Sequence, residues 1–262
     1  SVKAAVITKR SNIQLQTFPT PKLKRNELLV RVEMCGICAS DIHIFNGDWG
    51  EPYPLIPGHE FIGVVEDAGE NALTYHGVDI GDRVAVEMII PCWNCHFCRS
   101  GLYNLCEMDR LEGRQYGCNI SCERTPHLYG GWAEFLYVPE QARVHRIPEH
   151  VPLKRAVLTE PLAVAVRAVN LTPPNIGDDV VVVGAGPIGL MTVVAAKAAG
   201  ANVILVGSRE ERLTLGKQLG ADEVIDYRKE NVFERIAQLT GDFGARLVFE
   251  TAGTVDAQRE SL

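Results

Sequence analysis

Residues 179–183, Asp-Val-Val-Val-Val, run straight into Gly184-Ala185-Gly186-Pro187-Ile188-Gly189 and then into small and apolar residues that last to about Ala199. A β-branched run, a glycine-rich turn and a helical stretch in that order specify a strand–turn–helix unit. The rhythm continues, with strands expected at 202–206, 223–225 and 246–249 and helices at 187–199, 210–219 and 232–239. Such alternation implies a parallel sheet, because parallel neighbours need a crossover that a helix supplies. Residues 180–196 carry no charge, yet three glycines and Pro187 interrupt them, so they read as a buried βα segment rather than a membrane span.

In this setting Gly184 turns the chain, Gly186 lets a pyrophosphate approach the backbone, and Gly189 allows the helix to lie close on the sheet. Free N–H groups, that of Ile188 included, face the phosphates. A dinucleotide is the expected ligand. Where the ribose 2′-hydroxyl of NAD is held, the second strand ends in a carboxylate. Here it ends in Gly207-Ser208-Arg209, a hydroxyl and a guanidinium that suit a 2′-phosphate, which favours NADP over NAD. Glu210 and Glu211 follow at once, and either of them on the ribose would reverse that preference. Arg212, on the next helix, reads as an ordinary surface charge.

From Val2 to about Pro148 short β-branched runs at 28–32, 61–65 and 83–86 are broken by Gly and Pro, the pattern of a β-rich, barrel-like unit. A helix is expected over 156–169. The fold class is therefore α/β in two domains, 1–160 and 161–262, with ligands expected in a cleft between them. At 262 residues and 46% apolar the chain can bury a core, while a formal charge of −7 offers no footprint for nucleic acid or an anionic membrane. The first ten residues hold too short an apolar stretch for an export signal, so the cytoplasm is the expected compartment.

Eight cysteines in such a chain point to metal rather than to a disulfide framework, because four of them fall within fifteen positions. Cys92-x2-Cys95-x2-Cys98-x7-Cys106 lets one loop wrap a tetrahedral zinc ion with all four places filled, a structural role. An iron–sulfur cluster competes for the same spacing, and free thiols or a disulfide pair are the plainer alternative. Cys35, Cys118 and Cys122 receive no role. A second group of donors, Cys38, Asp41 and His43 against His59 and Glu60, flanks a Gly/Pro-rich loop, although an isolated loop histidine more often packs than ligates.

Taken together, Cys35-Gly36-Ile37-Cys38-Ala39-Ser40-Asp41-Ile42-His43, Gly58-His59-Glu60, Gly81-Asp82-Arg83-Val84, the cysteine lobe, Glu160-Pro161-Leu162 and Gly184–Gly189 resemble the zinc-containing medium-chain alcohol and polyol dehydrogenases along nearly the whole chain. The resemblance implies a GroES-like catalytic domain with a structural-zinc lobe, followed by a doubly wound Rossmann domain. It makes Cys38 and His59 ligands of a catalytic zinc, Glu60 a direct or exchangeable ligand, and Glu160 the occupant of the third-ligand place. Alcohol dehydrogenases with a Cys2His catalytic site have a second cysteine in that place, so Glu160 is a departure resembling the polyol and threonine branch. Asp41 is expected to orient His59 by accepting its second N–H. Ser40 and then His43 would carry the substrate proton outward, and Tyr227 falls where NADP-dependent relatives have a tyrosine near the adenosine phosphate.

The implied reaction is hydride transfer between an alcohol, polyol or sugar carbinol and the nicotinamide, with zinc as a Lewis acid. An NAD-linked polyol or threonine dehydrogenase is the alternative within enzymes, and a non-enzymatic zinc- and nucleotide-binding module is the alternative outside them. The resemblance also implies a homo-oligomer, dimer or tetramer. Its members run on by roughly 80–100 residues, so the cofactor domain is expected to be incomplete at its C-terminal end.

Overall fold

A computed structural model describes residues 1–261, and of Glu260 the backbone alone. It divides into two compact units, Ser1–Glu160 and Pro161–Leu262, the last residue lying outside the described ones. The first unit opens with an antiparallel hairpin, β1 (Val2–Lys9) and β2 (Asn12–Phe18), in which Val2 pairs with Phe18 and Ile7 with Ile13. Val2, Ala4 and Val6 alternate inward along β1 and are buried, as a strand with one face on a core requires. Next come β3 (Leu28–Cys35), α1 (Ala39–Asn46), β4 (Phe61–Ala68), α2 (Ala72–His76) and β5 (Arg83–Val86). Two short helices, α3 (His96–Arg99) and α4 (Glu107–Glu112), belong to the cysteine lobe, and β6 (Phe135–Val138), β7 (Val144–Arg146) and α5 (Leu153–Ala156) complete the unit.

Five of these strands form one antiparallel sheet in the order β6-β3-β4-β5-β7, with β6 and β7 at its edges and the hairpin as a separate sheet. The barrel-like expectation is thus met by an open sheet joined to the hairpin through bonds such as Ala5 N–H to Trp132 O (2.8 Å) and Ile7 N–H to Leu55 O (2.9 Å). Leu28, Val30, Val65, Val84, Tyr116, Leu128 and Leu136 fill the core. The β3–β4 ladder runs to the pair Cys35 and Phe61, so the segment leaving β3 and the segment entering β4 emerge side by side.

The second unit carries α6 (Thr159–Leu171) across its start, then β8 (Asp179–Val183), α7 (Pro187–Ala198), β9 (Asn202–Gly207), α8 (Glu210–Gln218), β10 (Glu223–Asp226), α9 (Val232–Thr240), β11 (Leu247–Glu250) and α10 (Val255–Glu260). Its four strands are parallel in the order β10-β9-β8-β11. Val180, Val182, Val203 and Leu205 bury one face with Leu190, Val193 and Ala196 of α7 and Leu213 of α8. Val181, Ile204, Val206 and Ile225 bury the other with Val232, Ile236 and Leu239 of α9. Covering both faces is why these strands read as unbroken apolar runs. The order reverses between β8 and β11, the switch point at which open α/β sheets bind ligands beyond the strand ends.

The single helix expected over 156–169 is two helices, α5 and α6. Pro161 lacks the N–H that would bond back to Val157 and its ring crowds that carbonyl, so the chain breaks and restarts. Thr159 Oγ1 donates to Ala156 O (2.7 Å) across the break.

Candidate functional site

In the first unit, the segment from Gly36 to Cys38 leaves β3 as His59 and Glu60 enter β4, and Gly36 N–H donates to Glu60 O at 2.8 Å. Strand pairing therefore joins donors about twenty residues apart in sequence. The ligand atoms of Cys38, His59 and Glu60 all lie within 4.8 Å of one another. Glu160 stands outside that set among the described residues, near enough for the charges of His59 and Glu60 to act on it. Burial first, and then Glu60, raise its carboxyl above the usual range. Glu60, rather than Glu160, is the carboxylate that meets the thiol and the imidazole.

Gly36 makes room for it: a Cβ there would sit 2.0 Å from Glu60 Oε2. Ser40 Oγ lies 3.4 Å from His59 Nε2. The His59 ring lowers the Cys38 thiol below its ordinary value against the effect of burial, with Ser40 assisting. Burial alone would depress His59, yet the sulfurs of Cys118 and Cys38 and the Asp41 carboxylate outweigh it and hold the ring up at about 11. The cluster thus favours positive charge where the donors converge. A divalent cation satisfies that preference while displacing the proton, and thiolate, imidazole and carboxylate are zinc's own donor types, so the residues fit the ion.

Asp41 lies in the core of this region, and His43 at its edge. Asp41 is buried, but its Oδ2 accepts from Cys38 N–H (2.8 Å) and its Oδ1 from Gly58 N–H (3.2 Å). Its nearer oxygen is 3.9 Å from His59 Nδ1, too far for an N–H···O bond, so Asp41 anchors the two backbone segments instead of the ring. His43 is half-exposed one helical turn beyond Ser40, its Nδ1 3.0 Å from Asp48 Oδ2 and its ring stacked on Trp49. Of the cysteines without an expected role, Cys118 touches the site, its sulfur 3.7 Å from His59 Nδ1. Nothing in the sequence signals that contact across 59 positions. Burial, with Asp41 and Glu60 nearby, pushes Cys35 up to about 12 and keeps it a thiol.

The lobe gathers Cys92, Cys95, Cys98 and Cys106 into a second set within 4.8 Å. Cys92 Sγ lies 3.9 Å from Cys98 Sγ, close to the roughly 3.8 Å edge of a tetrahedron with Zn–S bonds of about 2.3 Å. Burial opposes ionisation of Cys92, yet the N–H groups of Asn94 and Cys95, aimed at its sulfur from 3.5 and 3.3 Å, hold the thiol down at about 6. Trp93 ties the lobe to the turn between β6 and β7, donating from Nε1 to Gln141 O (2.8 Å) under the Arg143 guanidinium.

In the second unit a cavity of about 250 Å³ is lined by Gly184, Gly186, Gly207, Ser208, Arg209 and Tyr227, together with Ala185, Arg212, Thr251 and Ala252. Gly184 adopts φ +106°, Gly186 leaves the space above it open, and a Cβ on Gly189 would meet Gly184 O at 1.8 Å. Gly184 thus turns the chain and Gly189 lets α7 lie close on that turn. Ile188 and Gly189 lie in the first turn of α7 and do not line the cavity. No carboxylate among the described residues lines it: Glu210 and Glu211 open α8, and Asp226 is clamped by Arg228 through bonds of 3.1 Å. Arg212, in the first turn of α8, lines the cavity together with Arg209, the extended residue that precedes the helix. Thr251 donates from Oγ1 to Val183 O (2.8 Å) and Gly184 O (3.0 Å), a role legible only once β11 is placed beside β8.

Residues 24–149 match the alcohol dehydrogenase GroES-like domain and residues 187–262 the zinc-binding dehydrogenase domain. An erythritol/L-threitol dehydrogenase from Mycolicibacterium smegmatis is 35% identical over 272 residues, covering all of this chain and 72% of the relative. A putative zinc-binding dehydrogenase from Sinorhizobium meliloti, solved bound to NADP, is 32% identical with TM-score 0.86, covering 99% of this chain and 72% of that one. An alcohol dehydrogenase from E. coli CFT073, solved with NADH, is 31% identical with TM-score 0.83 over the same shares. Both cofactors thus occur among similar proteins. With a GroES-like sheet and a Rossmann-type sheet in one chain, and relatives of this similarity over its whole length, the chain belongs to the zinc-type medium-chain alcohol and polyol dehydrogenases.

Proposed function

We propose that this chain is a zinc-dependent dehydrogenase moving a hydride between the carbinol of an alcohol or polyol and NADP. The observation that carries the reading is the convergence of a thiol, an imidazole and a carboxylate within 4.8 Å, at Cys38, His59 and Glu60. Those three residues would hold a catalytic zinc, with Glu160 as the nearby carboxylate able to exchange in. A bound zinc supplies Lewis acidity toward an alcohol or carbonyl oxygen. Cys92, Cys95, Cys98 and Cys106 would hold a second, structural zinc whose places are all filled by sulfur.

Ser40 Oγ takes the proton released by the carbinol and passes it outward to His43, whose other ring nitrogen already faces Asp48. Asp41 keeps Cys38 and Gly58 in register so that the donors stay converged. The polyol branch of the substrate class is supported by Glu160 in the place where simple alcohol dehydrogenases have a second cysteine, and by the similarity to a polyol dehydrogenase.

NADP is supported by Ser208, Arg209, Arg212 and Tyr227 around a cavity that no carboxylate among the described residues lines, where a 2′-phosphate would meet two guanidinium groups. The test is substrate-dependent absorbance of NADPH across a panel of alcohols, polyols and sugars, with kcat/KM compared for NADP and NAD. Arg209→Ala should lower kcat/KM for NADP by about tenfold or more and leave that for NAD nearly unchanged. A wild-type preference for NAD would overturn the cofactor assignment, and normal turnover in Cys38→Ala would overturn the metal chemistry.

A further inference from the structure

Resting on the zinc reading above, we infer that Cys118 is the positioning residue of the mixed-donor site: its sulfur receives the Nδ1 proton of His59 and leaves Nε2 free for the ion. A neutral imidazole carries its proton on one nitrogen and a lone pair on the other. A ligating histidine therefore needs an acceptor behind it to fix the tautomer and the ring orientation, and that acceptor is commonly a carboxylate. Asp41 is the carboxylate at hand, but both its oxygens are engaged by the N–H groups of Cys38 and Gly58 and it stands 3.9 Å from Nδ1. Cys118 Sγ stands 3.7 Å from that nitrogen, within reach of a hydrogen bond to the larger sulfur atom.

The placement of this sulfur is built into the backbone. Gly117 has φ +70°, and a Cβ on it would lie 2.4 Å from Gly58 O and 2.8 Å from Gly58 N. Only a glycine lets residues 116–118 lie directly on the segment that carries His59, and that close approach brings the next side chain against the ring. Gly117 N–H is fixed in turn by Tyr129 O at 2.8 Å. Around the sulfur, Cys118 packs against the apolar cluster of Ile7, Ile44 and Leu55 with Phe45 and Tyr53. His59 is itself only 5% exposed, so water is a poor substitute partner for Nδ1. The work is thus divided: Asp41 holds the two backbone segments together and Cys118 holds the ring.

The test uses the zinc-loaded full chain and measures zinc affinity by chelator competition, together with the ring tautomer of His59 by 15N NMR. Cys118→Ala should weaken the mixed-donor zinc by about tenfold or more, leave the lobe zinc unchanged and move the His59 Nδ1 resonance. Cys118→Ser keeps an acceptor at the position and should recover the affinity to within about threefold of wild type. The inference is overturned if Cys118→Ala binds both zinc ions as tightly as wild type, or if Cys118→Ser is as weak as Cys118→Ala. It is also overturned if, with cobalt replacing zinc, Cys118→Ser loses sulfur-to-metal charge-transfer intensity, since Cys118 would then be a ligand. A wild-type chain that takes up zinc at the lobe alone would instead remove the metal reading of the mixed-donor site, and this inference with it.

Discussion

The two donor clusters of the first unit are assembled in opposite ways. The lobe takes four like donors from residues 92–106 and holds them with local N–H···S bonds, so one loop makes the site. The mixed cluster takes unlike donors from the ends of two strands, and their spacing depends on the Cys35–Phe61 pair and on Gly36. A set that only has to close around an ion can be written in one short stretch. A set of unlike donors is hung instead on a sheet, where spacing is set by the ladder; on the proposed function that is the set that also has to leave a place for substrate.

That contrast breaks first at Cys38. Cys38→Ala should lower turnover by about a thousandfold or more, some 4 kcal/mol, while zinc analysis shows the lobe ion retained. Loss of both ions would mean the two clusters are not independent. Cys98→Ala should do the reverse, costing stability on the order of 3 kcal/mol in denaturant unfolding while the mixed cluster still binds zinc. Gly36→Ala sharpens the comparison at closer range, because the added methyl displaces the Glu60 carboxylate and should weaken the mixed-site zinc by about tenfold, or 1.4 kcal/mol. In a double-mutant cycle its effect should vanish on a Glu60→Ala background, and full additivity would show that Gly36 acts by another route. The smallest effect is at the lobe's tether: Trp93→Phe removes the bond to Gln141 O and should cost about 1 kcal/mol in thermal unfolding without altering zinc content.

What could be read in the sequence follows the same divide. The Rossmann strands at 179–183, 202–206 and 223–225 and the helices between them are visible because burial on two faces makes apolar runs and helices carry a longer period. The lobe is visible because its spacing is its geometry. The hairpin of β1 and β2 and the edge strands β6 and β7 are not, since short strands with exposed faces carry little apolar signal; in β2, Leu15 is 80% exposed. Nor does the sequence reveal that Asp41 commits its oxygens to two backbone N–H groups, that His43 turns to Asp48 and Trp49, or that Cys118 arrives at His59. The bonds to Gly58 and the arrival of Cys118 depend on how segments far apart along the chain approach each other, and the contacts of His43 on how the turn after α1 folds back, neither of which residue type and spacing encode.

The clasp made by Thr251 has a consequence for the order in which this chain becomes competent. Its hydroxyl secures the carbonyls of Val183 and Gly184, which precede it by 68 and 67 positions. During synthesis the glycine turn therefore emerges long before the group that completes it. On the proposed function, affinity for a dinucleotide should report the arrival of β11 and not the mere existence of the turn, so nucleotide capture is expected to come late in the maturation of the second unit.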